Sequence, residues 1–275
     1  MSIALEDNVG DIIGKAQRGL RISDSQLAEK SGVNAETIRK MRDGEIQEEA
    51  ILRVAAALNL NPKALLASAL KKWSPAELGP FDGLAQFVTP YDDVTVNAYL
   101  VWDPKSLDAV AFDTGADCGT MIARIEKEKL KVKLILLTHA HSDHIADLPR
   151  LRKKTGAPVF ISEREQAEGA QPIVEEKKFE VGKLRIEARL TSGHSIGGMT
   201  YVIRGLTKPV AIVGDSLFAG SMGGGMISYD DALRNNLEKI LTLPEETILC
   251  PGHGPLTTVC EERRHNPFFA NNFGS

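Results

Sequence analysis

Three of the chain's six histidines fall within six positions, in the stretch LTHAHSDH at residues 137–144. An apolar run at residues 134–137 leads into this stretch, and such a run predicts a β-strand that is covered on both faces. Open sheets place their chemistry at the carboxyl ends of their strands. A polar loop with hydrogen-bonded imidazoles is the simpler alternative, but four ionisable side chains in six residues favour a metal site.

The local geometry of this stretch predicts two pairs of ligands. In an extended segment, His139 and His141 point the same way because they are one strand repeat apart. If Asp143 and His144 begin the helix that the pattern at residues 145–154 indicates, their side chains diverge toward a neighbouring point. Two such pairs could hold two metal ions close together.

Three further residues are predicted at the ends of strands or in adjoining turns. His194 lies in the small-residue turn TSGHS, Asp215 ends the apolar run VAIVGD, and His253 follows the run TIL. All three could therefore gather on one rim with the histidine-rich stretch. Imidazoles and carboxylates are ligands of zinc and iron, and a carboxylate with a hydroxide between two metals is a common arrangement. The sixth histidine, His265, lies in a polar stretch and is predicted to be a surface or structural residue.

Size and charge narrow the class of protein. A chain of 275 residues suits one large domain or two unequal ones. The net charge of -4 gives no global attraction to nucleic acid or to an anionic membrane. We expect no membrane span and no signal peptide, because the sequence lacks both patterns. The scattered cysteines, Cys118, Cys250 and Cys260, argue against a disulfide framework and favour the reducing cytoplasm.

The texture of the sequence changes near residue 72. Before that point apolar residues recur at helical spacing, and after it β-type runs alternate with helical stretches. Two prolines and a glycine within residues 73–80 suit a linker. We therefore predict a helical domain at residues 1–72, a linker at residues 73–80 and a larger domain at residues 81–275.

The first domain is predicted to contain about five short helices, two of them joined by a tight glycine turn. Ser23 and Asn34 are suitable N-caps for helices at residues 24–30 and 35–42. Four apolar residues are spaced to pack these helices as a helix-turn-helix, namely Leu27, Ala28, Val33 and Ile38. The stretches QLAEKSGVNAETIRKMRDG and ILRVAAALNLNPKAL resemble the helix-turn-helix domain of the Cro/C1 repressor class.

That resemblance raises the question of DNA binding. By position, Arg39, Lys40 and Arg42 could reach the major groove or the phosphates. However, Asp24 stands where the family usually has a glutamine near the phosphate backbone, and residues 1–75 carry 11 Lys/Arg against 10 Asp/Glu. Phosphate binding draws on a much stronger positive field. Two interpretations stay open: DNA as a partner, or a dimerisation or protein-contact module that keeps only the fold.

The larger domain carries a second, more specific resemblance. The motifs THAHSDH, GHS, GDS and PGHGP resemble, in order and spacing, the signature motifs of the metallo-β-lactamase superfamily. The resemblance implies an α+β protein, an αββα sandwich with a metal site along one edge, preceded by the small all-α domain. Carried over by position, the implied ligands are His139, His141 and His194 for one metal, Asp143, His144 and His253 for the other, and Asp215 between them.

Within that superfamily, GDSLFAGSM and PGHGPLTTVCEERRHNPFF are most similar to the type II glyoxalases, which are hydroxyacylglutathione hydrolases. Longer members carry a glutathione-binding helical domain, and we expect no counterpart of it after residue 269. The segment MGGGMISYD at residues 222–230 also replaces a family segment that contains an arginine. These departures weaken the case for glutathione thioesters. The segment is predicted to form either a different substrate wall or an ordinary glycine-rich turn.

The predicted cofactors are two divalent metal ions, with zinc as the expected ion and iron or manganese as alternatives. Two metals would lower the pKa of a bridging water toward ~7 and polarise a carbonyl. Asp143 is the predicted catalytic residue, which orients the hydroxide or carries its proton. The leading prediction is hydrolysis of a small thioester, ester or lactone. The alternatives are an iron-dependent persulfide dioxygenase that uses His139, His194 and Asp215, or a ligand-sensing DNA-binding regulator; a homodimer is a further expectation.

Overall fold

The computed structural model describes residues 3–79 and 81–274. The first part of the described chain is helical, with α1 (Val9–Gly19), α2 (Asp24–Ser31), α3 (Ala35–Arg42), α4 (Glu48–Ala57) and α5 (Pro62–Ala69). The strands are β1 (Leu84–Tyr91), β2 (Val94–Trp102), β3 (Asp108–Phe112), β4 (Lys131–Leu136), β5 (Val159–Ser162), β6 (Ala170–Ile173), β7 (Lys178–Val181), β8 (Leu184–Leu190), β9 (Met199–Arg204), β10 (Val210–Gly214), β11 (Ile248–Pro251) and β12 (Thr257–Thr258). The helices among them are α6 (Gly119–Glu128), α7 (Ser142–Ile145), α8 (Leu148–Thr155), α9 (Tyr229–Asn235) and α10 (Val259–His265).

The predicted caps of α2 and α3 are confirmed. Ser23 Oγ accepts a hydrogen bond from the backbone N–H of Gln26, whose side chain in turn accepts from the N–H of Ser23. Gly32 ends α2 in the left-handed region, with φ of 64°. Asn34 Oδ1 accepts from the N–H of Thr37 at 2.8 Å and so starts α3. Each cap satisfies backbone groups that a helix end leaves without an intrahelical partner.

The described strands form two sheets of six. The first sheet has the order β1-β2-β3-β4-β5-β6, with antiparallel pairs up to β3 and parallel pairs from β3 onward. The second has the order β12-β11-β10-β9-β8-β7, and its pairs are antiparallel except for β10 with β11. Two mixed sheets with helices among them agree with the expected αββα sandwich. Strand β3 runs parallel to β4, and β10 runs parallel to β11, so the carboxyl ends of each pair lie at the same edge of their sheet.

Alternation along the strands places apolar side chains in separate layers. On β10, Val210 and Ile212 point between the two sheets, whereas Ala211 and Val213 point to the outer face of the second sheet. On β4, Leu136 lies between the sheets, with other side chains packed under α6 and α8. Both central strands are therefore covered on two faces, which explains their continuous apolar runs.

The N-terminal helices pack on the outer face of the second sheet. Ile12 of α1 and Leu65 of α5 belong to the same buried cluster as Val202 of β9 and Phe269. The N–H of Asn61 also donates to the carbonyl of Pro267 at 2.7 Å. The helices and the sandwich therefore share one apolar core, while the predicted boundary at residues 73–80 stays a prediction.

The helix that the pattern at residues 145–154 indicated is divided in the structure. Asp143 and His144 do lie in a helix, α7, but α8 follows only after a break at residues 146–147. Pro149 lies in the first turn of α8, where its missing N–H costs nothing, whereas inside a continuous helix it would remove a hydrogen bond. Across the described residues, none of the helices is both long and apolar enough to cross a membrane.

Candidate metal centre

The candidate centre lies where four strands end. The contributing segments are the turn after β4 with His139 and His141, the start of α7 with Asp143 and His144, the β8–β9 loop with His194, the end of β10 with Asp215, and the end of β11 with His253. The seven side chains form two groups, and within each group one ligand atom per residue lies within 4.8 Å of all the others. The structure therefore brings together all seven residues that the sequence predicted as ligands.

The first group contains His139, His141, His194 and Asp215. His194 Nε2 lies 3.0 Å from His141 Nδ1 and 3.3 Å from Asp215 Oδ2. His139 Nε2 lies 4.0 Å from the same carboxylate oxygen. His139 is buried and His141 is exposed, so this group opens to solvent on the His141 side.

The second group contains Asp143, His144 and His253. Asp143 Oδ2 lies 3.3 Å from His253 Nε2 and 3.6 Å from His144 Nε2. His144 and His253 are buried, whereas Asp143 is partly exposed at the rim. A carboxylate oxygen and two imidazole nitrogens at these separations match the donor set of a zinc or iron ion.

Asp215 faces both groups. Its Oδ1 lies 3.2 Å from His144 Nε2, and its Oδ2 lies 3.4 Å from His253 Nε2 as well as close to the first group. The carboxylate is 7% exposed and sits between the two sets of nitrogens. A carboxylate in this position has one oxygen available for each of two cations.

The buried polar atoms of the cluster supply a test of whether cations fit. Within the described part of the chain, His139 Nε2, His144 Nε2 and Asp215 Oδ1 are buried and make no aligned hydrogen bond. A buried polar atom without a partner is costly, and clustered orphan atoms in a folded protein indicate a ligand or ion. The residues present therefore fit a metal centre.

The ring nitrogens that point away from the cluster are held by hydrogen bonds. The pairs are His139 Nδ1 with Thr138 Oγ1 at 3.0 Å, His194 Nδ1 with the Gly224 carbonyl at 3.2 Å, and His253 Nδ1 with the Thr95 carbonyl at 2.6 Å. A carbonyl accepts only from a protonated nitrogen, so Nδ1 of His194 and His253 carries the proton. In the neutral form of each ring, Nε2 then faces the cluster with a free lone pair, as metal coordination requires.

Asp113, at the end of β3, is a site residue that the sequence reasoning missed. Its Oδ2 lies 2.8 Å from His144 Nδ1, and its carboxylate also accepts from the backbone N–H and the hydroxyl of Thr138. A buried carboxylate behind a metal-binding imidazole fixes the ring and raises its basicity. The signal was available, because the run AVAFD ends in an aspartate just as the run VAIVGD does.

The surroundings of the cluster shift the pKa values of its histidines in opposite directions. Burial lowers the pKa of His139 well below its usual range. At His144 burial acts the same way, but the carboxylates of Asp215 and Asp113 outweigh it and raise the pKa to about 10. At His253 hydrogen bonds to carboxylates likewise outweigh burial and raise the pKa to about 11. The buried carboxylates thus favour the protonated forms of His144 and His253. Divalent cations would likewise compensate the negative charge of these carboxylates.

The segment at residues 222–230 forms one side of the site. A Cβ on Gly223 would lie 3.0 Å from His194 Nδ1 and closer still to the backbone oxygen of Asp215. The exposed fractions of Met226 and Ile227 are 77% and 60%, so the segment presents an apolar tip to solvent. Its contacts with two of the candidate ligands place this segment beside the cluster.

The N-terminal segment also reaches the site. A Cβ on Gly254 would lie 3.2 Å from the backbone nitrogen of Glu6, next to the candidate ligand His253. Burial raises the pKa of Glu6, and His253 acts in the opposite direction. The sequence reasoning missed this contact, because nothing local marks residues that meet across more than two hundred positions.

The residues predicted to contact nucleic acid lie on α3 and are not among the clustered residues. Arg39 and Lys40 are exposed, and Lys40 Nζ is 3.3 Å from Glu36. Arg42 forms an ion pair with Asp24 at 2.8 Å and also donates to the side chain of Gln17 at 3.2 Å. Of the three side chains, Arg42 is thus engaged within the helical unit.

Comparison with known families agrees with this fold and cluster. The model of the Metallo-beta-lactamase superfamily matches residues 91–253, a span that contains all seven clustered residues. The chain belongs to the metallo-beta-lactamase superfamily.

Three relatives illustrate its place in that family. The probable metallo-hydrolase YqgX of Bacillus subtilis (strain 168) is 32% identical over 206 residues, which cover 65% of this chain and 94% of that protein. The hydroxyacylglutathione hydrolase GloC of Haemophilus influenzae is 29% identical over 206 residues, covering 66% of this chain and 96% of that protein. The crystal structure of the BLEG-1 B3 metallo-beta-lactamase superposes with a TM-score of 0.59 at 31% identity, covering 70% of this chain and all of that one (100%).

Proposed function

We propose that the chain is a binuclear metal-dependent hydrolase that cleaves a small thioester, ester or lactone. The observation that carries the proposal is the position of Asp215, whose two oxygens lie 3.2 Å from His144 Nε2 and 3.3 Å from His194 Nε2. One buried carboxylate therefore faces both sets of imidazoles. Family membership supports a metal-dependent hydrolase, and the name of GloC supports a thioester as the first substrate class to test.

In this proposal, His139, His141 and His194 would hold one divalent ion and Asp143, His144 and His253 would hold the second, with Asp215 available to both. Two such ions would lower the pKa of a water toward ~7 and stabilise negative charge on a carbonyl oxygen. Zinc is the expected ion, with iron and manganese as alternatives for this donor set.

The chain's own residues orient the water and move its proton. Asp143 is partly exposed at the rim, and its Oδ2 lies 3.3 Å from His253 Nε2. From there, Asp143 can accept the proton of the attacking water and return it to the leaving thiolate or alkoxide. One water is consumed; a thioester or ester releases one acid and one thiol or alcohol, and a lactone opens to one hydroxy acid. No side-chain nucleophile is needed for this reaction.

Elemental analysis of the purified protein and a panel of thioester, lactone and β-lactam substrates test this function. We expect about two equivalents of metal per chain and turnover of at least one thioester, ester or lactone. Asp215→Ala should lose metal and activity together, and Asp143→Asn should lower kcat. Asp117→Ala, at an exposed aspartate outside the cluster, is the matched control. Full activity in metal-loaded Asp215→Ala would contradict the assignment.

The persulfide dioxygenase alternative uses the same clustered residues and is separated by its co-substrate. A dioxygenase consumes O₂ when given a persulfide and requires iron, whereas the proposed hydrolase consumes only water. Oxygen uptake with a persulfide by iron-loaded protein, without thioester turnover by the zinc form, would favour the dioxygenase.

For the helices before the sandwich, we propose a helix-turn-helix built from α2 and α3. The support is the turn between them, where Gly32 adopts φ of 64° and Asn34 caps the second helix. Whether this unit binds DNA as part of a regulator is a separate proposal, tested by salt-dependent binding to duplex fragments. A homodimer is tested by the mass of the protein in solution.

A further inference from the structure

Lys15, on helix α1, reaches from the helical unit to the turn beside the metal centre. Its Nζ donates to the backbone carbonyl of Met222 at 3.0 Å and pairs with the carboxylate of Asp7 at 2.5 Å. The Lys15 side chain is 14% exposed and that of Asp7 is 7% exposed. Shielding an ammonium group from water costs free energy unless the group is paired. The contacts with Asp7 and Met222 therefore stabilise Lys15 in this position.

The same ammonium group lies over an aromatic ring that contacts a candidate ligand. Lys15 Nζ is 4.8 Å from the centroid of the Phe218 ring, and that ring packs edge-on against His253 with centroids 5.5 Å apart. A cation over the face of a ring is attracted to it, which restrains the ring's position. Lys15 is therefore connected to the second group of ligands through Phe218.

The turn at residues 218–222 is held from both sides. On the helical side, Asp7 accepts a hydrogen bond from the hydroxyl of Ser221 as well as pairing with Lys15. On the sandwich side, Asn266 donates to the carbonyl of Ser221 at 2.7 Å. The turn thus has little freedom, and Lys15 with Asp7 supplies the restraint that comes from the N-terminal part of the chain.

The chain leads from this turn directly to the first group of ligands. Met222 is followed by Gly223, which has no space for a side chain beside Asp215, and by Gly224, whose carbonyl accepts from His194 Nδ1. That carbonyl fixes the orientation of the His194 ring. A shift of the Met222 backbone would move the carbonyl of Gly224, which lies two residues further along the chain. The His194 ring would then lose this hydrogen bond.

We propose that Lys15 is a positioning residue for the metal centre, which makes the N-terminal helical unit a structural part of the active site. Lys15 acts on His194 through Met222 and Gly224, and on His253 through Phe218. The claim about catalysis rests on the proposed hydrolase function, but the claim about metal binding does not. The positioning role of Lys15 would give the helical unit a function that needs no nucleic acid.

Metal affinity tests this role without any substrate. Chelator competition should show that Lys15→Met weakens binding of the metal held by His194 by about tenfold, at the low end of the range for residues behind metal ligands. The visible absorption of cobalt-substituted protein should change shape, because the His194 ligand is displaced. Lys15→Arg keeps the cation and the donor and should restore most of the affinity.

Two further variants separate positioning from folding and from charge. Lys15→Met leaves the shielded carboxylate of Asp7 without its cation. The double variant Lys15→Met/Asp7→Asn removes both charges, so it tests positioning without leaving an unpaired charge. Lys133→Met, at a half-exposed lysine paired with Asp108, is the matched control and should bind metal normally. With an active substrate, Lys15→Met should lower kcat with little change in KM. Folded Lys15 variants with wild-type metal affinity and cobalt spectrum would overturn the proposal, even if no substrate is ever found.

Discussion

Asp113 Oδ2 and His144 Nδ1 lie 2.8 Å apart, and both side chains are almost completely shielded from solvent. The carboxylate holds the proton on Nδ1 and leaves Nε2 to face Asp143 and Asp215. The ring orientation of His144, a candidate ligand, is thus set by a residue that is not itself in the cluster.

Asp113→Asn should weaken the second metal site. An asparagine can donate to Nδ1 as well as accept from it, so His144 would lose its fixed tautomer. We expect metal affinity to fall by roughly 10–100-fold, as for other carboxylates behind metal-bound histidines. Chelator competition measures this, with Asp117→Asn as an exposed control. Wild-type affinity at both sites would show that Asp113 serves only the fold.

Gly252 gives a second prediction, which depends on space. Its backbone is outside the left-handed region, so alanine would be accepted locally. A Cβ there would nevertheless lie 2.6 Å from His144 Cε1 and closer still to Asp215 Oδ1. Gly252→Ala should therefore displace Asp215 or His144, and metal content and activity should fall together by at least about tenfold.

The matched control is Gly79→Ala. Gly79 also lies outside the left-handed region, and a Cβ there would meet none of the described atoms within 4 Å. The metal content of Gly79→Ala should equal that of the wild type. Equal metal loading of the Gly252 variant would mean that the cluster can rearrange and that its geometry is less constrained than the contacts indicate.

The seven candidate ligands could be predicted from the sequence because each is marked by the residues next to it. Each candidate ligand follows a strand-like run or lies in a small-residue turn, and strand ends gather at one edge of a sheet. Asp113 obeys the same rule and could have been predicted. Lys15 could not, because it meets Met222 across 207 positions and no periodicity marks such a contact. The break between α7 and α8 was predictable from Pro149, had its backbone restriction been weighed against the apolar pattern.

Glu262 predicts how the stability of the fold depends on pH. The side chain is fully buried and accepts from Gly220, Thr257 and Asn266. Burial raises its pKa from 4.5 to about 7, against the effect of these hydrogen bonds. Between those two values the native state keeps the proton while the unfolded chain has lost it. The free energy of unfolding should therefore fall as pH rises from about 4.5 to about 7, by roughly 3 kcal/mol from this group, and stay level above.

Urea unfolding of the wild type and Glu262→Gln at several pH values isolates this contribution. The variant cannot titrate at this position, so its stability relative to the wild type should improve from pH 5 to pH 7 and then remain constant. Glu246→Gln, at an exposed glutamate, should show no such trend. A difference between wild type and Glu262→Gln that does not vary with pH would contradict the raised pKa.

The ion pair between Arg42 and Asp24 predicts the effect of a charge change on DNA binding. The pair is partly exposed, with side chains 30% and 39% accessible, so it adds little to stability, typically about 0–1 kcal/mol. The pair does engage the guanidinium of Arg42, which is then not free to contact a DNA phosphate. Asp24 also keeps a negative charge at the start of α2. Asp24→Asn should free Arg42, and non-specific DNA affinity should rise severalfold. The plot of log affinity against log salt should steepen by about one unit if Arg42 then reaches a phosphate.

Fluorescence anisotropy with a random duplex at two or more salt concentrations measures this effect. Glu29→Gln makes the same charge change on α2 at an exposed position and controls for net charge alone. If both variants gain equally, the increase is a general charge effect and α3 is not oriented toward DNA. If neither binds DNA at low salt, the helical unit is not a DNA-binding module, and its contacts with residues 218–224 become the role to explain.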